Sequence, residues 1–234
     1  MQEKDKYILV LGSKPNSKLP LVEVTNIYAA NGASEIGSYY KKIFPNSKLI
    51  SVVGGKEFEK NYEVQKRVIE SAPEEMISRS GYIDISKYKL NNDTKFIYFS
   101  NFKGLLFQSN FFKKNFFDVL IKETYYEDDI LNKIKHIFRC VRHNAFTGVS
   151  TGFFSILYAL NNHPNCKIIL SGIGMSKGSH LYNDKNRYNK RSVVDRKLFN
   201  SLKKEYTSRL MTTDNDFAND TGIQIWEDKT IDEE

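Results

Sequence analysis

Gly148-Val-Ser-Thr-Gly152 brings two hydroxyls, Ser150 and Thr151, together with a glycine at the head of an apolar run, Phe153 to Leu160. Such a turn opens a helix whose first N–H groups lack intrahelical partners and carry partial positive charge. It can hold a phosphate or carboxylate, and Gly152 lets a ligand approach the backbone closely. An ordinary N-capped helix carries the same residues, so the turn gains weight from what else lies beside it. Histidine is the second source of chemistry, because imidazole titrates near neutrality and suits a general base. His180 lies in the polar loop Lys177-Gly-Ser-His-Leu-Tyr-Asn-Asp184, and His143 immediately precedes the turn in Arg142-His-Asn144. His136 falls within an amphipathic helix and reads as structural, whereas His163, in Asn161-Asn-His-Pro-Asn165, reads as a solvated turn residue. Asp214-Asn215-Asp216 has the form of a metal-holding Asp-x-Asp turn, but so close to the C-terminus it reads as an Asx-rich turn, and no metal site is assigned. Lys185, Arg187, Lys190 and Arg191 form a basic stretch that can offset phosphate charge.

These groups need elements to position them. Tyr7 to Leu11 is an unbroken apolar run that empties into Gly12-Ser-Lys-Pro-Asn16, the pattern of a buried parallel strand. Further strands are expected at Asn26–Ala30, ending in Asn31-Gly32; at Lys48–Val53, ending in Gly54-Gly55; at Tyr82–Ser86; at Phe96–Phe99; at Lys167–Ser171, ending in Gly172; and at Leu210–Thr212. Helical segments alternate with them: Ala33–Ile43, Lys56–Ser71, Glu127–Arg142 and Lys190–Tyr206. In the third of these, Ile130, Ile134, Ile137 and Phe138 are expected inward. The six phenylalanines from Phe102 to Phe117 read as core or as a packed lid. The pattern predicts a Rossmann-like α/β fold, a mostly parallel sheet with flanking helices and a small lid region. Residues 1–226 form a single domain with the lid around 175–190, and 227–234 are a frayed acidic tail. Ligands of open α/β sheets sit outside the strands' carboxyl ends. Gly12, Ser13, Lys14, Asn31, Gly32, Ser150, Thr151, Gly152 and Gly172 are therefore expected on one binding edge. The loops match neither a phosphate-binding P-loop nor Gly-x-Gly-x-x-Gly, which disfavours an NTPase or a standard NAD site.

Composition narrows the class. With 40% hydrophobic and 13% aromatic residues, the 234-residue chain can bury a sizeable core. No apolar run reaches the roughly 18–20 residues that span a bilayer. The start, Met1-Gln-Glu-Lys-Asp-Lys6, is charged and does not read as a signal peptide. Cys140 and Cys166 lack metal-ligand spacing. A soluble cytoplasmic protein is expected, and the net charge of +7 fits peripheral contact with an anionic membrane at its inner face. Nucleic acid is disfavoured, because basic charge stands without any recognition motif.

Leu11-Gly-Ser-Lys-Pro-Asn16, Tyr28-Ala-Ala-Asn31-Gly32, Ser150-Thr-Gly152 and Ile168-Ile-Leu-Ser-Gly172 follow one another in an order that resembles bacterial CMP-sugar glycosyltransferases. The chain looks like the Campylobacter-type sialyltransferases and the Kdo transferases of lipopolysaccharide cores. The latter carry a late Ser-Asp-Asp-Thr-Ala-Ile stretch, of which Thr213 to Ile223 is a looser version. The resemblance implies a GT-A-like variant of the fold and inverting transfer of a sialic-acid-like or Kdo-like sugar from CMP to a surface glycan. CMP would lie against the first loop, Asn31 and Ser150-Thr151-Gly152; no cofactor is implied, and metal-independent transfer is expected. His180 is the expected base and His143 its competitor. Two departures stand out: the family's Ser-Gly-Ile-Asp is Ser171-Gly-Ile-Gly174 here, and its catalytic histidine falls near Lys190. Readings outside the family are a non-catalytic α/β nucleotide-binding protein and another nucleotide-dependent transferase, such as a methyltransferase.

Overall fold

Tyr7–Leu11 (β1) is apolar along its whole length, and the computed structural model places it at the centre of a sheet, buried on both faces. A strand with no polar side needs cover above and below, which a parallel sheet between helical layers provides. The structure describes residues 6–113, 130–143, 148–174 and 190–232. Leu19–Pro20 (β2) leaves the sheet, and Asn26–Ala30 (β3), Lys48–Val53 (β4), Glu75–Ser78 (β5) and Lys95–Tyr98 (β6) step outward on one side of β1. Lys167–Ser171 (β7), Leu210–Thr212 (β8) and Gln224–Ile225 (β9) step outward on the other. The order is β6-β5-β4-β3-β1-β7-β8-β9, and each neighbouring pair runs parallel. Winding reverses between β1 and β7, so the carboxyl ends of these two strands flank the topological switch point.

Alternate residues of β1 face opposite layers. Leu9 and Leu11 pack with Ile36 and Tyr40 of Ser34–Ile43 (α1), whereas Ile8 and Val10 join the core around Thr151–Asn162 (α6). Between these helices in sequence come Gly55–Lys60 (α2), Tyr62–Glu70 (α3), Asn101–Ser109 (α4) and Ile130–His143 (α5). Lys190–Phe199 (α7), Lys204–Thr207 (α8) and Asn215–Thr221 (α9) follow. Helix α6 is buried almost all round, with Phe153, Phe154, Ile156, Leu157 and Leu160 in the core. Each such side chain contributes about 1.5–3 kcal/mol, against roughly 1 kcal/mol for an N-cap. Packing therefore fixes where the Ser150 turn sits, and the cap only trims it.

The α/β reading and the mostly parallel sheet hold. Several details differ from the sequence pattern. The expected helix 56–71 is two helices broken at Asn61, whose side-chain oxygen caps α3 by accepting from the Glu63 and Val64 amides. Tyr62, which opens α3, is 71% exposed. No strand forms at Tyr82–Ser86, where a 3-10 turn at Ile85–Lys87 begins; the strand is β5, obscured in sequence by Pro73-Glu74 before it and Glu75 at its start. The segment 190–206 closes α7 at Phe199 and resumes only as the short α8. Asp214-Asn215-Asp216, expected as an Asx-rich turn, is the start of α9, with Asp214 as its cap. Beyond Trp226 the chain does not fray at once: Thr230–Ile231 (β10) pairs antiparallel with β2. Ile130, Ile134 and Phe138 of α5 are exposed, contrary to the inward face that their periodicity suggested. Phe111 and Phe112 are core residues, Phe102 is exposed, and Phe116 and Phe117 lie outside the described residues.

Candidate functional site

At the carboxyl end of the sheet the head of α6 meets the ends of β3, β4 and β5. Ser150 caps the helix by accepting from the Phe153 amide at 3.3 Å. Two side chains from distant elements hold the preceding backbone. Gln108 of α4, buried, accepts from the Val149 amide at 2.8 Å, and the carboxylate of Asp195 in α7 accepts from the Ser150 amide at 3.2 and 3.3 Å. Gly148 has φ +56°, and a Cβ there would lie 2.4 Å from Gln108 Oε1, so only glycine fits under that clasp. The Ser150 amide, expected to face a ligand, is thus occupied by Asp195. The next two amides, of Thr151 and Gly152, have no acceptor among the described residues, as expected for the first two positions of a helix.

Arg79, directly after β5, is 6% exposed, and its Nε donates to Thr151 Oγ1 at 3.0 Å. A buried guanidinium is stabilised only by acceptors and opposite charge; Arg79 is set beside the helix N-terminus, with the Asp195 carboxylate on the neighbouring Ser150 amide. Gly54 lies over the pair: a Cβ there would be 3.6 Å from Thr151 Oγ1 and 3.8 Å from Arg79 Nε. Asn31 has φ +51°, a conformation asparagine tolerates, and its Oδ1 accepts from the Gly54 amide at 3.3 Å. Gly32 is buried in the 3-10 turn that follows β3, and Ser34 secures that turn by donating to the Asn31 carbonyl at 2.9 Å. Asn31, Gly54, Arg79 and Thr151 therefore form one polar corner, to which each strand end contributes a fixed group.

A second group gathers at the switch point. The Gly12 amide donates to the Ser171 carbonyl at 2.8 Å, and the Lys14 amide to the Gly172 carbonyl at 3.0 Å. A Cβ on Gly12 would stand 2.1 Å from the Gly172 carbonyl oxygen, so the two glycines are small because their loops touch. Lys14 pairs through Nζ with Asp214, whose other oxygen accepts from the Asp216 and Phe217 amides at the head of α9. Both Asp214 oxygens thus serve the fold. Ser13 lies between these contacts, half-buried. Gly152 joins the two groups; a Cβ on it would be 3.3 Å from Ile173 Cδ1.

Of the expected bases, His143 is the last residue of α5, and His180 lies outside the described residues, as do residues 175–189 of the expected lid around 175–190, Lys185 and Arg187 among them. Lys190 opens α7, followed by Arg191. His163 is not a solvated turn residue: its Nε2 shares a 2.9 Å hydrogen bond with the buried Tyr28 hydroxyl at the opposite end of α6. Burial, aided by the nearby Arg209 cation, holds its imidazole below the usual histidine pKa. Arg79, Gln108 and Asp195 escaped the sequence reading. Arg79 follows a strand that the pattern missed, while Gln108 and Asp195 sit in helices with no local sign that they reach Val149 and Ser150. The chain has a Rossmann-like α/β architecture consistent with a nucleotide-binding enzyme fold, and comparison with protein-family models, curated proteins and solved structures gives no match.

Proposed function

We propose that this protein is an inverting glycosyltransferase that takes a sialic-acid-like or Kdo-like sugar from a CMP-sugar and passes it to a surface glycan. The observation that carries the reading is the polar corner at the sheet's carboxyl edge, where the Thr151 and Gly152 amides open beside the buried Arg79 guanidinium. Phosphate suits such a corner, because helix amides and a guanidinium both donate to its oxygens. The order of the strand-end motifs, similar to CMP-sugar enzymes, supports CMP as the nucleotide. In the reaction the acceptor hydroxyl loses its proton to a base, for which His180 is the candidate. Its oxygen attacks the anomeric carbon from the face opposite the phosphate. The glycosidic bond to phosphate breaks, and CMP departs with the negative charge that the corner and the basic Lys190–Arg191 stretch offset. The Asp214 oxygens bind the fold, which supports transfer without a divalent metal.

The second reading, a protein that binds nucleotide without turnover, is favoured by one feature: Lys190 stands near the position of the similar enzymes' histidine. Thermal shifts with CMP, UDP and S-adenosylhomocysteine test the nucleotide. CMP at a hundredfold excess over its Kd should raise the melting temperature by about 5–10 °C, with smaller shifts for the other two. A shift with S-adenosylhomocysteine alone would replace the proposal with a methyltransferase. CMP stabilisation without sugar transfer or CMP-sugar hydrolysis would favour the binding protein.

A further inference from the structure

Helix α5 combines features that a core helix does not. Its sequence, Ile130-Leu-Asn-Lys-Ile-Lys-His-Ile-Phe-Arg-Cys-Val-Arg-His143, carries four Lys or Arg and no Asp or Glu. Ile130, Leu131, Ile134 and Phe138 are 70%, 62%, 44% and 71% exposed. At about 100° per residue these four positions fall within an arc of roughly 100° on one side of the helix. Lys135 and Arg142, both exposed, come next around the same side, where long stems can lie along an apolar surface while the charged heads reach outward. Exposed Ile, Leu and Phe on one arc form a patch that water disfavours, which marks an interaction surface.

We propose that α5 docks the protein flat on an anionic lipid bilayer, with Ile130, Leu131, Ile134 and Phe138 in the acyl boundary and Lys135 and Arg142 at the headgroups. Its 14 residues are too short to cross a bilayer, and no helix among the described residues is long and apolar enough to do so. An amphipathic helix with a cationic flank instead lies in the interface plane. Charge decides between occupants. A second copy of the chain would set this acid-free cationic helix against itself, with no carboxylate in either helix to pair the four cations, whereas anionic headgroups complement them. The test needs no nucleotide.

The test is co-sedimentation of the full chain with phosphatidylcholine vesicles, with and without phosphatidylserine, at low and high salt. Binding is expected to anionic vesicles only, weakened by salt. Phe138→Asp and the double change Lys135→Glu with Arg142→Glu should each lower the vesicle partition coefficient by at least about tenfold. These positions are exposed, so circular dichroism and melting temperature should stay near wild type. Equal binding by wild type and Phe138→Asp, or no binding to anionic vesicles, would overturn the proposal. Light scattering that finds an oligomer dispersed by Phe138→Asp, without vesicle binding, would assign the surface to self-association instead.

Discussion

Arg79 and Thr151 make the contact on which the proposed anion binding turns, because the hydroxyl fixes the direction of a buried guanidinium. Thr151→Val removes the acceptor while keeping a similar volume, and Arg79→Lys keeps the charge but loses the planar Nε donor. Hydrogen bonds to charged groups are each worth about 1.5–3 kcal/mol, so CMP affinity should fall roughly ten- to hundredfold in either variant. Calorimetry on folded variants checks this, and undiminished affinity in both would move the phosphate elsewhere. His163 offers a prediction of stability. Its folded pKa is depressed by burial, so the unfolded chain takes up the proton first as pH falls. Its contribution is fully present above the unfolded value of about 6.5 and is lost as pH drops through and below it. Melting temperature should therefore fall more steeply between pH 7.5 and 5.5 in wild type than in His163→Asn; parallel curves would refute this account.

Between elements, the tightest junction is that of the β1 and β7 loops. A Cβ on Gly12 would press on rigid backbone of Gly172, so Gly12→Ala must separate the two loops. The expected loss is about 1–3 kcal/mol, as for overpacking elsewhere. Gly172→Ala adds the strain of φ +66° to a Cβ contact of 2.8 Å with the Gly12 carbonyl oxygen. Denaturant unfolding would reveal both; a Gly12→Ala variant as stable as wild type would mean that the loops part freely. The glycines were legible from sequence as strand-end residues, but their reason was not. Gly-Ser after an apolar run looks the same whether the space is left for a ligand or filled by another loop. The strands β1, β3, β4 and β7 were legible because both their faces are buried, giving continuous apolar runs. The strand β5 was not, since Glu75 and Ser78 break its run. Helix α5 shows the converse: its period was correct, yet period cannot tell a face covered by the protein from one that remains exposed.

Considered as a whole, the molecule sets a rigid parallel sheet beneath a site whose corner is built from four separate strand ends and helices. The edge itself was legible in the sequence, because small and polar residues after apolar runs mark where strands stop. The corner's internal wiring was not, because Arg79, Gln108 and Asp195 act across separations of 72, 41 and 45 residues. The base remains the part of the proposed chemistry most open to direct test. In sequence, His180 lies between the end of β7 and the start of α7, two elements that border the edge: Gly172 meets Gly12, and Asp195 holds the Ser150 amide. A base in that stretch of sequence is flanked on both sides by elements of the proposed nucleotide edge, whereas His143 ends α5 and is separated from Gly148 by four residues. Removing a general base lowers turnover by about a hundred- to ten-thousandfold. His180→Ala should show that loss in kcat while CMP binding stays unchanged, and His143→Ala should retain activity. A reversed pattern would transfer the role to His143. If both variants stay active, the proton must go to a carboxylate, with Asp184, four residues on in sequence, the next residue to replace.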